Sequence, residues 1–489
     1  MQRKREGATP PRVAPWLFLG MLAFYGLCYQ GIGASDAVFH YEQARALVQG
    51  GLVLPVDRVD PERPGNRAFA QQGASSEAMY LTLAPGVAVM AAPLCALGMA
   101  LEDEAPPALM GPDAKTLAKA DFTAFERAPS VRFSGLINPL LMALLDLVIF
   151  CFALELGASR RRALAVALTV GVGTYLQVYA TNLWTQPAAA LGLTGALWLA
   201  MRYRRNGSLW TALGASVFLA MAVSVRFDTL VWAPWVGGFF LWATLAGPRR
   251  RWLKPLVAFG APVAMMGLAL AWWNHYRFGS LWATGSYHQA HSLWADDFLM
   301  GWVHNLFSLN QGLLVFAPPL LLAPVGFIAL WRRHRPLTIV LLGMTVLQYL
   351  FYSSFIFWAE ASVWGPRFLL IAVPLLLLPL AALPVSEERP WWARAWWGLA
   401  ILGGVTNLVG ALLPMQPETI EKVHFYFLES EWDTFWASEV AWQARAILEQ
   451  GPRLWWWEGS VSLAMGLVTI AVGLFSAQCV GRALKVECR

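Results

Sequence analysis

Tyr80-Leu81-Thr82-Leu83-Ala84-Pro85-Gly86-Val87-Ala88-Val89-Met90-Ala91-Ala92-Pro93-Leu94-Cys95-Ala96-Leu97-Gly98-Met99-Ala100-Leu101 is apolar and long enough to cross a bilayer. Whether it crosses decides the topology of the whole chain. A bilayer core takes about 20 helical residues to span, and positive charge collects on the cytoplasmic side of short loops. If this stretch spans, Arg160, Arg161, Arg162 and every later basic cluster fall on the wrong side. If it does not, the clusters agree. The chain then has about twelve spans, roughly 13–32, 134–156, 163–182, 186–203, 209–226, 229–246, 256–274, 310–331, 337–358, 367–385, 395–414 and 460–480, with both termini inside. The inner turns hold Arg160–Arg162, Arg202 with Arg204 and Arg205, Arg249–Arg251 with Lys254, and Arg332, Arg333 and Arg335.

The rest of the composition fits this reading. The 489 residues are 57% hydrophobic and 13% charged, with 26 Trp; soluble domains carry nearer 25% charged residues. The formal charge of +6 sits in the inner turns, where orientation explains it, so it is no sign of nucleic-acid binding. Most acids lie outside, leaving Glu6, Glu155, Glu387, Glu388 and Glu487 inside and Asp146 mid-span. The five cysteines form no CxxC or Cys/His spacing, so a structural zinc site is not indicated. The basic then apolar N-terminus lacks a small-residue cleavage site after Gly33 and reads as a retained anchor.

The outer segment 33–133 is therefore long. Ser35 or Asp36 is placed to cap a short interfacial helix that Gly50-Gly51 stops. Residues 55–76, rich in Pro, Arg, Gly and Ser, read as loop. Pro85-Gly86, Pro93 and Gly98 break the apolar stretch; lipid offers no partner for a backbone group that Pro leaves over, so a bent helix packed on the protein is expected. Two further outer loops are 275–309 and 415–459, the latter ending in Trp455-Trp456-Trp457, where an interfacial aromatic belt belongs.

Asp36 leads the residues with chemistry. It lies just beyond a span, where the dielectric is low, and fits two compatible roles: cap of the following helix, and acceptor of a proton from an attacking hydroxyl or amine. Boundary arginines suit a phosphate through their planar fork: Arg45, Arg132, Arg226, Arg277 and Arg367. Arg226 equally suits a pair with Asp228, and Arg277 and Arg367 equally suit snorkelling to the interface. Asp146 fits a hydrogen bond to a neighbouring helix, or, as a mid-span ionisable group, a functional site. His288 and His291 with Asp296 and Asp297 have metal-ligand types at a common spacing.

Several motifs occur in a telling order: Ser35-Asp36-x-x-x-x-Tyr41-x-x-Ala44-Arg45-x-Leu47-x-x-Gly50-Gly51; Tyr80-Leu81-Thr82-Leu83-Ala84-Pro85-Gly86 with Ala92-Pro93-Leu94; Arg132-x-x-Gly135; Gly157-Ala158-Ser159-Arg160-Arg161-Arg162; Asn274-His275-Tyr276-Arg277-Phe278-Gly279-Ser280 with Thr284-Gly285-Ser286-Tyr287; Gln311-Gly312-Leu313-Leu314-Val315-Phe316-Ala317-Pro318; and Trp364-Gly365-Pro366-Arg367-Phe368. Over roughly 13–385 the chain thereby resembles the GT-C superfamily of membrane glycosyltransferases. The resemblance implies an all-α integral membrane fold with juxtamembrane helices in 33–133. It also implies sugar transfer from a polyprenyl-phosphate donor at the outer face of the plasma (inner) membrane, with Asp36 as base. Where the family often has a second acid, this chain has Gln186, which binds a sugar but anchors no cation. The implied substrate-binding set is Tyr41, Arg45, Glu77, Tyr80, Gln186, Arg277 and Arg367. No cofactor is implied beyond the lipid-linked donor, no metal site is assigned, and divalent-metal dependence stays open. The partners expected are a polyprenyl-phosphate sugar, membrane lipids and an acceptor not identified by sequence. A transporter or lipid flippase is the alternative. Residues 386–489 resemble nothing recognised and form a second, C-terminal part.

Overall fold

The computed structural model describes residues 13–32, 35–54, 70–74, 79–109, 124–246, 252–284, 298–354, 364–383, 390–413, 438–451 and 460–485. About four-fifths of them are helical. Helix α1 (Val13–Cys28) leads into α2 (Ser35–Val48), and a left-handed Gly50 follows the latter. Asp36 lies in the first turn of α2.

The decisive apolar stretch opens as a strand. Met79–Leu81 (β2) pairs antiparallel with Ala70–Gln72 (β1), Gln71 opposite Tyr80. The reading of 55–76 as loop is thus corrected at its end: three-residue strands are too short to leave a periodic signal. The helix that follows, α3 (Gly86–Met99), has 14 residues, about 21 Å of rise, short of a bilayer core of about 30 Å. It packs on α2 and on α4 (Pro129–Gly135). Gly98 permits this approach, because a Cβ there would strike the backbone of Pro129 and Ser130.

The remaining helices are α5 (Ile137–Glu155), α6 (Arg160–Gly171), α7 (Leu176–Tyr179), α8 (Gln186–Asn206), α9 (Leu209–Val225), α10 (Ala233–Leu245), α11 (Leu253–Phe278), α12 (Phe298–Phe307), α13 (Leu313–Phe316), α14 (Ala323–Arg333), α15 (Arg335–Ser353), α16 (Ala372–Leu377), α17 (Pro390–Leu412), α18 (Glu439–Gln450) and α19 (Ser460–Lys485). Among the described residues, 5 helices suffice by length and composition to cross a membrane: Pro129–Glu155, Leu253–Phe278, Arg335–Ser353, Trp391–Leu412 and Gly466–Leu484. Three stretches read as single spans are interrupted. The helix of 163–182 breaks between Gly171 and Leu176, 310–331 breaks around Ala317, and 367–385 runs through short helical pieces. Irregular backbone is tolerated at membrane depth when protein covers it, and these breaks are buried. Asp146 is fully buried and accepts from Tyr25 Oη at 2.7 Å, tying α5 to α1. The same hydroxyl lies 3.2 Å from the Gly171 carbonyl where α6 ends.

Candidate functional site

Asp36 finds its partner 331 residues away. Arg367 Nη1 donates to Asp36 Oδ2 at 2.9 Å. The arginine side chain is 5% exposed and the carboxylate 23%, so the pair has one enclosed end and one open end. The guanidinium lies 4.9 Å from the Phe368 ring and 5.7 Å from that of Trp184, a setting that holds a planar cation in fixed orientation.

The backbone around Arg367 is pinned from several helices. Tyr179 Oη donates to the Trp364 carbonyl at 3.1 Å and Tyr175 Oη to the Pro366 carbonyl at 3.1 Å. Tyr175 lies in the break after α6, and Tyr179 closes the short helix α7 that follows it. Gln348 Nε2, from α15, donates to the Phe368 carbonyl at 2.7 Å, and Trp364 Nε1 donates to Asn407 Oδ1 of α17 at 2.9 Å. Gly365 sits at φ +64 against the Phe316 ring, a conformation a Cβ would strain.

A second arginine backs the same aromatic. Arg226 is forked onto Asp228, Nε to Oδ1 at 3.0 Å and Nη2 to Oδ2 at 2.9 Å. Its Nη2 also reaches Tyr352 Oη at 3.2 Å and its Nη1 reaches Thr185 Oγ1 at 3.2 Å. Tyr352 stacks on Phe368 at 4.9 Å, and Arg226 stands 5.7 Å from that ring. Gln186 joins through Thr185, whose hydroxyl donates to Gln186 Oε1 at 3.5 Å. One cluster thus holds Asp36, Gln186 and Arg367, with Arg226, Asp228, Thr185, Trp184, Tyr352 and Phe368.

The other expected residues lie in two further groups. At about 100° per residue, Tyr41 and Arg45 point about 140° and 180° away from Asp36 around α2. They meet Ser130 and Glu102 instead. Tyr41 Oη and Ser130 Oγ are 2.7 Å apart, and Arg45 Nη1 donates to Glu102 Oε2 at 3.2 Å. Glu102 Oε1 also accepts the Ser130 amide at 2.8 Å, satisfying a first-turn donor of α4. This staple is buried, 8% and 6% exposed. Removing one member leaves the other charge enclosed and unpaired. Glu102→Ala is therefore expected to destabilise the fold by about 3 kcal/mol, read as a lower thermal unfolding midpoint of the detergent-purified protein.

Tyr80 and Arg277 form the third group. Tyr80 meets Tyr276 edge-on at 5.8 Å. Arg277 is fully buried; it donates to the Leu81 carbonyl, and Nη2 donates to Asn274 Oδ1 at 2.7 Å. Trp273 and Phe278 flank it at 5.0 and 4.7 Å. These contacts tie α11 to β2, and they include neither Asp36 nor Arg367. Glu77, His288, His291, Asp296 and Asp297 lie outside the described residues. Among the described residues no group of three or more His, Cys, Asp or Glu side chains gathers as for a metal ion.

Three participants escaped the sequence reading. His40 is fully buried beside Asp36 and Arg226; burial first, then Arg226, pushes its imidazole down to about 4 against the pull of Asp36. Gln43 is likewise enclosed. Both share the helix face of Asp36, so the i, i+4, i+7 spacing of polar residues was the available signal. The third is Glu439, which opens α18 and docks on the arginine loop. Its amide donates to Asn310 Oδ1 at 2.8 Å, and its Oε2 accepts from the Gly365 amide at 3.4 Å. Burial holds this carboxyl well above its ordinary 4.5, the Gly365 bond opposing. A raised folded pKa contributes stability that is complete below the ordinary value and lost as pH rises through the raised one. Amide exchange in 438–451, corrected for intrinsic rate, is therefore expected to quicken with rising pH, and Glu439→Gln should remove that dependence.

No family model matches the chain, and no curated protein matches it. Two crystal structures are similar in fold. One is ArnT from Cupriavidus metallidurans bound to undecaprenyl phosphate, at TM-score 0.47 and 12% identity, covering 96% of this chain and 76% of that one. The other is the same protein in the apo state, at TM-score 0.45 and 14% identity, covering 96% and 77%.

Proposed function

We propose that this chain is a multi-pass membrane glycosyltransferase. It moves a sugar from a polyprenyl-phosphate donor to an envelope acceptor, whether lipid, glycan or protein, at the outer face of the plasma membrane. The observation that carries the reading is the half-open Asp36–Arg367 pair, set on the first helix after a span and backed by Arg226. Such a site holds what the reaction needs: a carboxylate for the acceptor's proton, and oriented cations for the departing phosphate.

The chemistry follows from competition for one guanidinium. In the resting protein Arg367 holds Asp36. A donor phosphate diester offers its own oxygens to the same fork, and the carboxylate turns to the acceptor. The acceptor oxygen or nitrogen attacks the anomeric carbon, its proton passes to Asp36, and the carbon–oxygen bond to phosphate breaks. The polyprenyl phosphate leaves with the electron pair, its charge stabilised by Arg367 and Arg226. Arg277 and Arg45, whose partners lie elsewhere, act through the scaffold.

The test is an assay of purified protein with a panel of polyprenyl-phosphate sugars, following release of free lipid phosphate. Turnover of at least one donor is expected. Movement of labelled lipid across a vesicle bilayer with no release of lipid phosphate would favour the flippase alternative.

A further inference from the structure

We infer that His40 and Gln43 form, with Asp36, a subsite on one face of α2 for the hydroxyl groups of a neutral sugar ring. The inference rests on the transferase reading and specifies how that site recognises its donor.

Its basis is two enclosed side chains with unmet hydrogen-bonding capacity. His40 and Gln43 are both 0% exposed. Among the described residues, neither ring nitrogen of His40, and neither the oxygen nor the nitrogen of the Gln43 amide, has a hydrogen-bond partner. Buried polar atoms left unpaired are costly and rare, and they point to a ligand or to bound water as the missing partner. Both lie on the Asp36 side of the helix, about 40° and 20° from it around the axis. Along the axis they stand about 6 Å and 10 Å from Asp36. Asp36 is held by Arg367, so a phosphate on Arg367 sets the anomeric carbon near the carboxylate. The ring then extends along α2 toward residue 43.

The donor and acceptor types select the ligand class. A neutral imidazole offers one N–H and one lone-pair nitrogen, and an amide offers two N–H bonds and a carbonyl oxygen. Interleaved donors and acceptors without net charge match hydroxyls, each of which both gives and takes a hydrogen bond. Phosphate would need donors only, and an ammonium group acceptors only. The low basicity of the enclosed imidazole keeps it in this neutral form. Enclosure also withdraws the ring from water, which strengthens each bond to it.

The experiment uses the full chain in lipid nanodiscs. Binding is measured for undecaprenyl phosphate and for undecaprenyl-phosphate-linked hexoses, with wild type, His40→Asn and Gln43→Leu. Wild type is expected to prefer a hexose-loaded lipid over the bare one. Each variant should lose about tenfold in affinity for the loaded lipid, the scale of one unpaired sugar contact, and keep its affinity for the bare lipid. Gln43→Leu is nearly isosteric and removes an unpaired amide, so its thermal midpoint should hold or rise. Equal losses for bare and loaded lipid, no loss for either variant, or a lowered midpoint for Gln43→Leu would each overturn the subsite. If wild type binds bare lipid and loaded lipid equally, the subsite fails and the phosphate site stands. If it binds neither, the transferase reading falls and the subsite with it.

Discussion

Asp36→Asn is expected to lower sugar transfer about a thousandfold, the range of a lost general base, while the protein still reaches the membrane and unfolds near its normal temperature. The amide oxygen still accepts from Arg367, so the geometry of the 2.9 Å contact can persist. What disappears is the capacity to take a proton from the acceptor. The structural cost is moderate because the carboxylate is 23% exposed; losing the charge from a half-open pair costs about 1–3 kcal/mol. Release of lipid phosphate, measured beside a thermal midpoint, separates the two effects. Transfer at the wild-type rate by this variant removes the mechanism.

Arg367→Lys should cost about a hundredfold in kcat/KM, although charge is kept. The arginine spans three partners at once: the Asp36 carboxylate, the Phe368 ring at 4.9 Å and the Trp184 ring at 5.7 Å. An ammonium group is a compact, strongly hydrated point charge with no planar face and no fork. It can hold either Asp36 or a phosphate, but it cannot pass between them in a fixed plane. The loss is expected in both KM for the lipid donor and kcat, since in the proposed reaction the same fork holds the leaving phosphate. Arg226→Lys should be milder, because Asp228 already takes most of that guanidinium's capacity. A change within about threefold for Arg367→Lys, or a larger loss at Arg226, would sink the assignment of the leaving-group contact.

Part of the local structure is legible in the chain itself. Charge alternation argues that Tyr80–Leu101 stays out of the bilayer, and the stretch holds the 14-residue helix α3, packed on α2 and α4. The Gly50-Gly51 stop marked the end of α2 because only glycine takes the left-handed turn there cheaply. The pairing of Asp36 with Arg367 was beyond reach: each residue was singled out, yet nothing local links positions 331 apart. Arg277 shows the converse. A boundary arginine looks the same in sequence whether it faces a ligand or a carbonyl, and only packing places it on Leu81. Tyr41 and Arg45 belong to a motif that also contains Asp36, yet helical geometry turns them to the opposite face. His40 and Gln43 share the spacing of Asp36 on α2, but neither carries a full charge to mark it in the sequence. Glu439 lay in a region with no recognised motif, so nothing marked it.

The anchoring of residues 364–368 has a practical meaning for anyone dividing this chain. A fragment stopping at 385 would retain Arg367 while forfeiting Asn407, which holds the Trp364 indole, and Glu439, which holds the Gly365 amide. The loop carrying Arg367 thus takes part of its posture from residues 390–413 and 438–451, and any hybrid joining this front half to a foreign rear half inherits a loosened arginine unless those two grips are rebuilt.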